Sequence, residues 1–127
     1  MEIFELLISF GLVVLIWIIQ CLHYPSFFFV DQKNFSNFEV FHTKRISWIV
    51  IPLMLSEVLF LILNPRPFIA LMVVSVWLST FFLQVPCHNS LNNGFNEVVI
   101  QRLIRTNWIR TFLWTLKFLY LLSDRQW

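Results

Sequence analysis

The feature that most constrains this chain is a succession of apolar runs, each about as long as a bilayer is thick, broken only by short polar or proline-containing stretches. Ile3 to Leu22 carries one charge, Glu5, and Ile46 to Leu63 carries one, Glu57; Phe68 to Val85 carries none. A spanning helix needs about 20 mostly apolar residues, so spans are expected over 3–24, 46–63, 68–86 and 104–122. Composition leads to the same place. The 127 residues are 58% hydrophobic and only 13% charged, against about a quarter charged in soluble domains. A soluble domain of this size could not bury so much apolar surface. The expected fold is an all-α integral membrane four-helix bundle, a single domain over 1–127, with both termini on the same side.

The breakers give the expected connections. Pro25 should bend or end the first helix by pushing Tyr24 away from helical geometry, and Pro52 should kink the second. Asn64–Pro67 reads as a tight turn, Pro86 as the stop of the third span, and His88–Asn96 as a loop turning at Asn93-Gly94. Glu2 and Glu5 stand where a signal peptide would be basic, so the first apolar run is expected to be a retained helix. Cys21 and Cys87 lack CxxC spacing and form neither a disulfide framework nor a zinc knuckle. A net charge of +2 gives no case for nucleic acid.

Four alternating spans put both termini on one face, A, and the two longer loops on the other, B. Lys33, Lys44, Arg45, Arg102, Arg105 and Arg110 fall toward B, against Arg66 and Arg125 toward A. Lys/Arg bias sets orientation, so residues 32–43 and 89–101 are expected to be cytoplasmic. The expected location is a bacterial cytoplasmic membrane with extracytoplasmic termini.

The same alternation brings distant polar residues to face B. His23 ends helix 1, His42 opens helix 2 and His88 follows helix 3. Asn89, Asn92, Asn93, Arg105, Asn107 and Arg110 come from the loop and the start of helix 4. Asn107, Arg110, Trp114 and Lys117 form one helical stripe; so do Ser9, Ile16, Gln20 and His23, and Thr80, Gln84, Cys87 and His88. Polar groups within a bilayer face protein or water, so these stripes should face inward, as should His42 and Arg45. Glu39 lies on face B outside this set. Glu57 sits about 22 Å from His42 along its helix, too deep to join the histidines, and at a depth where Lys117 could neutralise it.

Val85, Pro86 and Leu91, followed by Asn107, Trp108, Arg110 and Thr111, resemble the signature of small four-helix membrane proteins related to fungal anthrone oxygenases. That resemblance implies the four-helix fold and, as an activity, oxygen-dependent oxidation of an aromatic substrate. Histidines at helix ends beside basic residues are also similar to the small membrane protoporphyrinogen oxidase that holds haem in a four-helix bundle, an analogy without a shared motif.

The functional expectation is a membrane-embedded oxidoreductase acting on a hydrophobic, aromatic or isoprenoid-like substrate near face B. His88, Asn107, Arg110 and Glu57 are the candidate catalytic residues; Arg105, Trp114, Asn89 and Tyr24 are candidates for substrate binding. His23, His42 and His88 are candidate ligands for haem, iron or copper, with cofactor-free chemistry as the other course. Arg110 and Asn107 suit an anion, since a guanidinium grips an oxyanion through its fork. The bland alternative has the histidines bonding headgroups and Arg110 snorkelling. The protein would then be a non-catalytic carrier, channel or accessory subunit that binds a lipid. The expected partners are the bilayer and a hydrophobic small molecule, with assembly into a homo-oligomer or larger complex left open.

Overall fold

The computed structural model describes residues 2–124. Among these residues the regular structure is all helical, in four helices: α1 Glu2–Phe29, α2 Phe35–Leu63, α3 Pro67–Leu91 and α4 Glu97–Ser123. They run up and down as one bundle with the ends of α1 and α4 on the same side. The first three are long and apolar enough to cross a membrane. α4 carries Arg110 and Lys117 within its more apolar half and is not among those three, but both are buried inside the bundle. Its outward face is Ile109, Phe112, Leu116 and Leu119, all exposed. Large apolar side chains are exposed on every helix, among them Leu22, Ile62, Leu71, Phe82 and Phe112, while Glu57, Asn107, Arg110 and Lys117 are buried. That inversion suits a chain whose solvent is hydrocarbon.

Short connections close the bundle. Arg66 is extended before Pro67, as a residue preceding proline prefers, and this makes the expected tight turn. At the other end Gly94 has φ +135°, a conformation favouring glycine. Asn96 caps α4 by accepting a bond from the Val99 N–H at 3.1 Å.

Pro25 and Pro86 act differently from the expectation. Tyr24 keeps helical geometry and α1 continues to Phe29. Pro86 does not stop α3, which runs on to Leu91, so His88 and Asn89 are helical and the loop is only 92–96. α2 begins at Phe35, and most of the expected 32–43 loop is helix. Pro52 lies within α2 without breaking it. The physical reason for the continuity at Pro25 and Pro86 is a π turn just before each. Ile19–His23 and Thr80–Gln84 are π-helical, with the Tyr24 N–H bonded to the Ile19 carbonyl and the Val85 N–H to that of Thr80. One residue is absorbed where proline would clash with the carbonyl four residues back. Arg125, expected on face A, lies outside the described residues.

Candidate functional site

Both π turns lie beside the polar interior, and each shifts the helical phase where the functional side chains leave. α1 delivers Gln20, His23 and Tyr24; α3 delivers Thr80, Gln84 and His88. π turns are frequent at functional sites for this reason. α2 contributes Glu39 and His42, one turn apart, and α4 contributes Asn107 and Arg110.

These side chains form one hydrogen-bonded chain. The Asn107 amide donates to Gln20 Oε1 at 2.9 Å, and Gln20 Nε2 donates to the Ile104 carbonyl at 3.0 Å. Arg110 donates to Asn107 Oδ1 through Nε at 3.0 Å and Nη2 at 2.7 Å. Longer contacts reach Gln84 Oε1 at 3.4 Å, Thr80 Oγ1 at 3.4 Å and the Tyr24 hydroxyl at 3.5 Å. The Tyr24 hydroxyl is 3.1 Å from His88 Nε2, and His88 Nδ1 is bonded to Glu39. Guanidinium, phenol, imidazole and carboxylate are thus linked in series. Tyr24 is 3% exposed, Arg110 6% and Glu39 0%, so this is not a solvated helix end.

His23 and His42 sit beside that series, with Nε2 of one 2.5 Å from Nδ1 of the other. Phe27 and Phe38 pack against both rings. The three histidines therefore meet, as expected. Their nitrogens are directed mainly at each other, at Tyr24 and at Glu39 rather than at a common point. Among the described residues no group of three or more His, Cys, Asp or Glu is arranged to hold a metal ion. Of the His23, His42 and His88 set, convergence is observed and a ligand geometry is not.

A cavity of about 260 Å³ adjoins this series between α2 and α3. Its inner lining includes Tyr24, Gln84, His88 and Arg110. The rest is largely apolar, including Val50, Met54 and Trp77, and it reaches Ile51, Phe81 and Val85, which are exposed on the lipid-facing surface. The opening is sideways, toward the bilayer.

No family model, curated protein or solved structure matches this chain.

Several expected site residues lie elsewhere. Arg105 and Asn89 are exposed and outside the cavity, Arg105 because its phase on α4 points away from Asn107 and Arg110. Arg45 also faces outward and stacks over Phe41 and Trp48 at 5.3 and 5.1 Å. Trp114 is buried beneath Arg110, 5.7 Å from the guanidinium carbon, without lining the cavity. Its indole N–H donates to Glu57 Oε2 at 3.0 Å, and Lys117 Nζ lies 2.5 Å from Glu57 Oε1. Glu57 is thus held in the ion pair its depth suggested, apart from the histidines.

Glu39 is the residue the sequence reading left out. It bonds His88 and is fully buried. The available signal was the Glu39-x-x-His42 spacing, which puts both side chains on one face of a helix. It was obscured because 32–43 read as a loop.

Proposed function

We propose that this protein is a membrane-embedded enzyme that takes a hydrophobic substrate from the bilayer and removes a proton from it beside Tyr24 and His88. The observation that carries this reading is the series Glu39–His88–Tyr24–Arg110 along the inner wall of a cavity open to lipid. With Glu39 ionised, His88 donates through Nδ1, which leaves Nε2 free to accept from the Tyr24 hydroxyl. A substrate proton moving to the Tyr24 oxygen, as the phenolic proton moves to His88, leaves an imidazolium facing a carboxylate. This is the logic by which a buried carboxylate orients and supports a histidine base. Arg110 favours negative charge on the substrate, and Asn107, itself anchored by Gln20, holds the guanidinium in place.

The resemblance at Val85, Pro86, Leu91, Asn107, Trp108, Arg110 and Thr111 supports oxygen-dependent oxidation of an aromatic substrate as the reaction class. For an acidic substrate such as a phenol or an anthrone, such a proton removal gives the electron-rich anion from which electrons pass to dioxygen. The exposed cations Lys33, Lys44, Arg45, Arg102 and Arg105, set against Arg66 paired with Glu5, support a cytoplasmic face B and extracytoplasmic termini. The alternative, a carrier or accessory subunit, is supported by the sideways opening of the cavity, which suits lipid binding without chemistry.

The test is oxygen consumption by the purified protein in nanodiscs with a panel of hydrophobic phenols, hydroquinones and anthrones. Wild type is expected to consume oxygen with at least one of them, and Tyr24→Phe and His88→Ala to be inactive while still folded. Turnover that survives both substitutions overturns the assignment; no turnover with any compound favours the carrier. A visible spectrum and metal analysis of the same sample decide whether haem, iron or copper takes part.

A further inference from the structure

Arg110 is a buried cation, and among the described residues no carboxylate is in contact with it. All of its partners are neutral: Asn107, Gln84, Thr80 and Tyr24. Only the Asn107 bonds are short; the other three contacts are 3.4–3.5 Å. The buried carboxylates are engaged elsewhere, Glu57 by Lys117 and Trp114, Glu39 by His88 and Glu5 by Arg66. Glu39 connects to Arg110 only through His88 and Tyr24. A guanidinium has five donors in a planar fork matched to a carboxylate, and burying it against neutral groups alone is costly.

A second observation comes from the same cavity. Trp77 lines it, and the Trp77 indole N–H is buried without a hydrogen-bond partner. The lining therefore includes a cation and an uncommitted N–H donor, while among the described residues no Asp or Glu lines it. The remaining wall is mostly apolar and leads to lipid. At about 260 Å³ it lies just below the usual range of roughly 300–1,000 Å³ for small-molecule pockets, enough for a head group and the first part of a chain or ring system.

We propose that this cavity binds a membrane-soluble monocarboxylic acid as its anion. The carboxylate sits at Arg110 and the hydrophobic body passes out between Val50 and Met54 of α2 and Phe81 of α3. A cavity of this volume takes one head group with the start of one chain or ring, so the class is a single acyl chain or a small aryl body. The inference deepens the enzyme reading by naming the charged handle of its substrate, but it rests on binding and not on turnover.

The experiment uses the full chain in nanodiscs of phosphatidylcholine, which adds no net lipid charge. Equilibrium binding is measured for dodecanoate and 2-naphthoate, and for their methyl esters as neutral counterparts. The acid is expected to bind at least about tenfold tighter than its ester, the size of a charge-assisted hydrogen bond, and Arg110→Gln to abolish that preference. Arg105→Gln, an exposed cation at the same end of α4, is expected to leave it unchanged. The tighter of the two acids reports whether the body is acyl or aryl. Esters binding as tightly as acids to wild type, or neither acid binding, overturns the proposal, as does a preference that survives in Arg110→Gln. Should Arg110→Gln fail to fold, the comparison of acid with ester on wild type decides alone. Acid binding without oxygen consumption would overturn the enzyme reading and leave this one standing; turnover of neutral compounds without acid preference would do the reverse.

Discussion

The Glu57–Lys117 pair offers the sharpest quantitative test of the bundle interior. Both side chains are 1% exposed and 2.5 Å apart, with Trp114 bonded to the second carboxylate oxygen at 3.0 Å. Lys117→Met strands a carboxylate whose remaining partner is one indole N–H. Glu57→Gln strands the ammonium but keeps an amide oxygen able to accept from Trp114. Each change leaves an unpaired charge in low dielectric, and each should cost about 3–5 kcal/mol. The double variant Glu57→Gln/Lys117→Met strands nothing and retains the acceptor for Trp114. Replacing a buried pair by well-packed neutral groups is often neutral or stabilising, so its loss should stay below about 2 kcal/mol. The double variant should therefore be more stable than either single one, with a coupling energy of several kcal/mol. Equilibrium unfolding in mixed micelles, followed by circular dichroism and tryptophan fluorescence, measures all four proteins. Losses in the double variant equal to the sum of the singles would refute the reasoning. Arg66→Met should cost less than Lys117→Met, because the Arg66 side chain is 21% exposed and ion pairs open to water contribute little.

Glu39→Ala is expected to behave as a core substitution and not a surface one. Removing a fully buried partner of His88 should cost more than about 1 kcal/mol in the same unfolding assay and should abolish turnover, whereas a change within about 0.5 kcal/mol would mark an ordinary surface position. Tyr24→Phe removes one oxygen from a buried ring, and its effect on stability should stay near 1–3 kcal/mol while catalysis is lost, as read by paired unfolding and oxygen-uptake measurements. In a background lacking Cys21 and Cys87, Asn92→Cys should be labelled from the cytoplasmic side and Asn64→Cys from outside; the reverse pattern would invert the assigned orientation. His23→Ala and His42→Ala should perturb each other's effects in a double-mutant cycle, since the two rings are in direct contact; independent effects would show that the contact carries no energy.

Much of this architecture was legible before any fold was considered. Apolar run length alone leads to the first three helices of the bundle, because a backbone in hydrocarbon must satisfy its own hydrogen bonds. Period 3.6 placed Asn107, Arg110, Trp114 and Lys117 on one stripe, and all four are buried. Depth along the helices suggested the Glu57–Lys117 pair, which forms. Alternating direction brought His23, His42 and His88 to one end, where they meet. Each of these inferences needs only length, period and direction, which are properties of a single helix or of simple alternation.

Tertiary structure decided the rest. Whether a polar residue near a helix end faces the interior depends on local phase, and a π turn changes phase in a way no regular period records. That is why Pro25 and Pro86 do not end their helices and why His88 leaves a helix. Arg45, Asn89 and Arg105 share an end of the bundle with Arg110 and yet face outward, because proximity along the axis does not set rotation about it. Glu39 became a partner of His88 only when α2 extended back to Phe35 and packed beside α3. The cavity is likewise lined from all four helices, which the chain does not bring together until it folds. Its charge follows from pairings made across the bundle: Lys117 finds Glu57, His88 finds Glu39, and Arg110 is left with neutral partners.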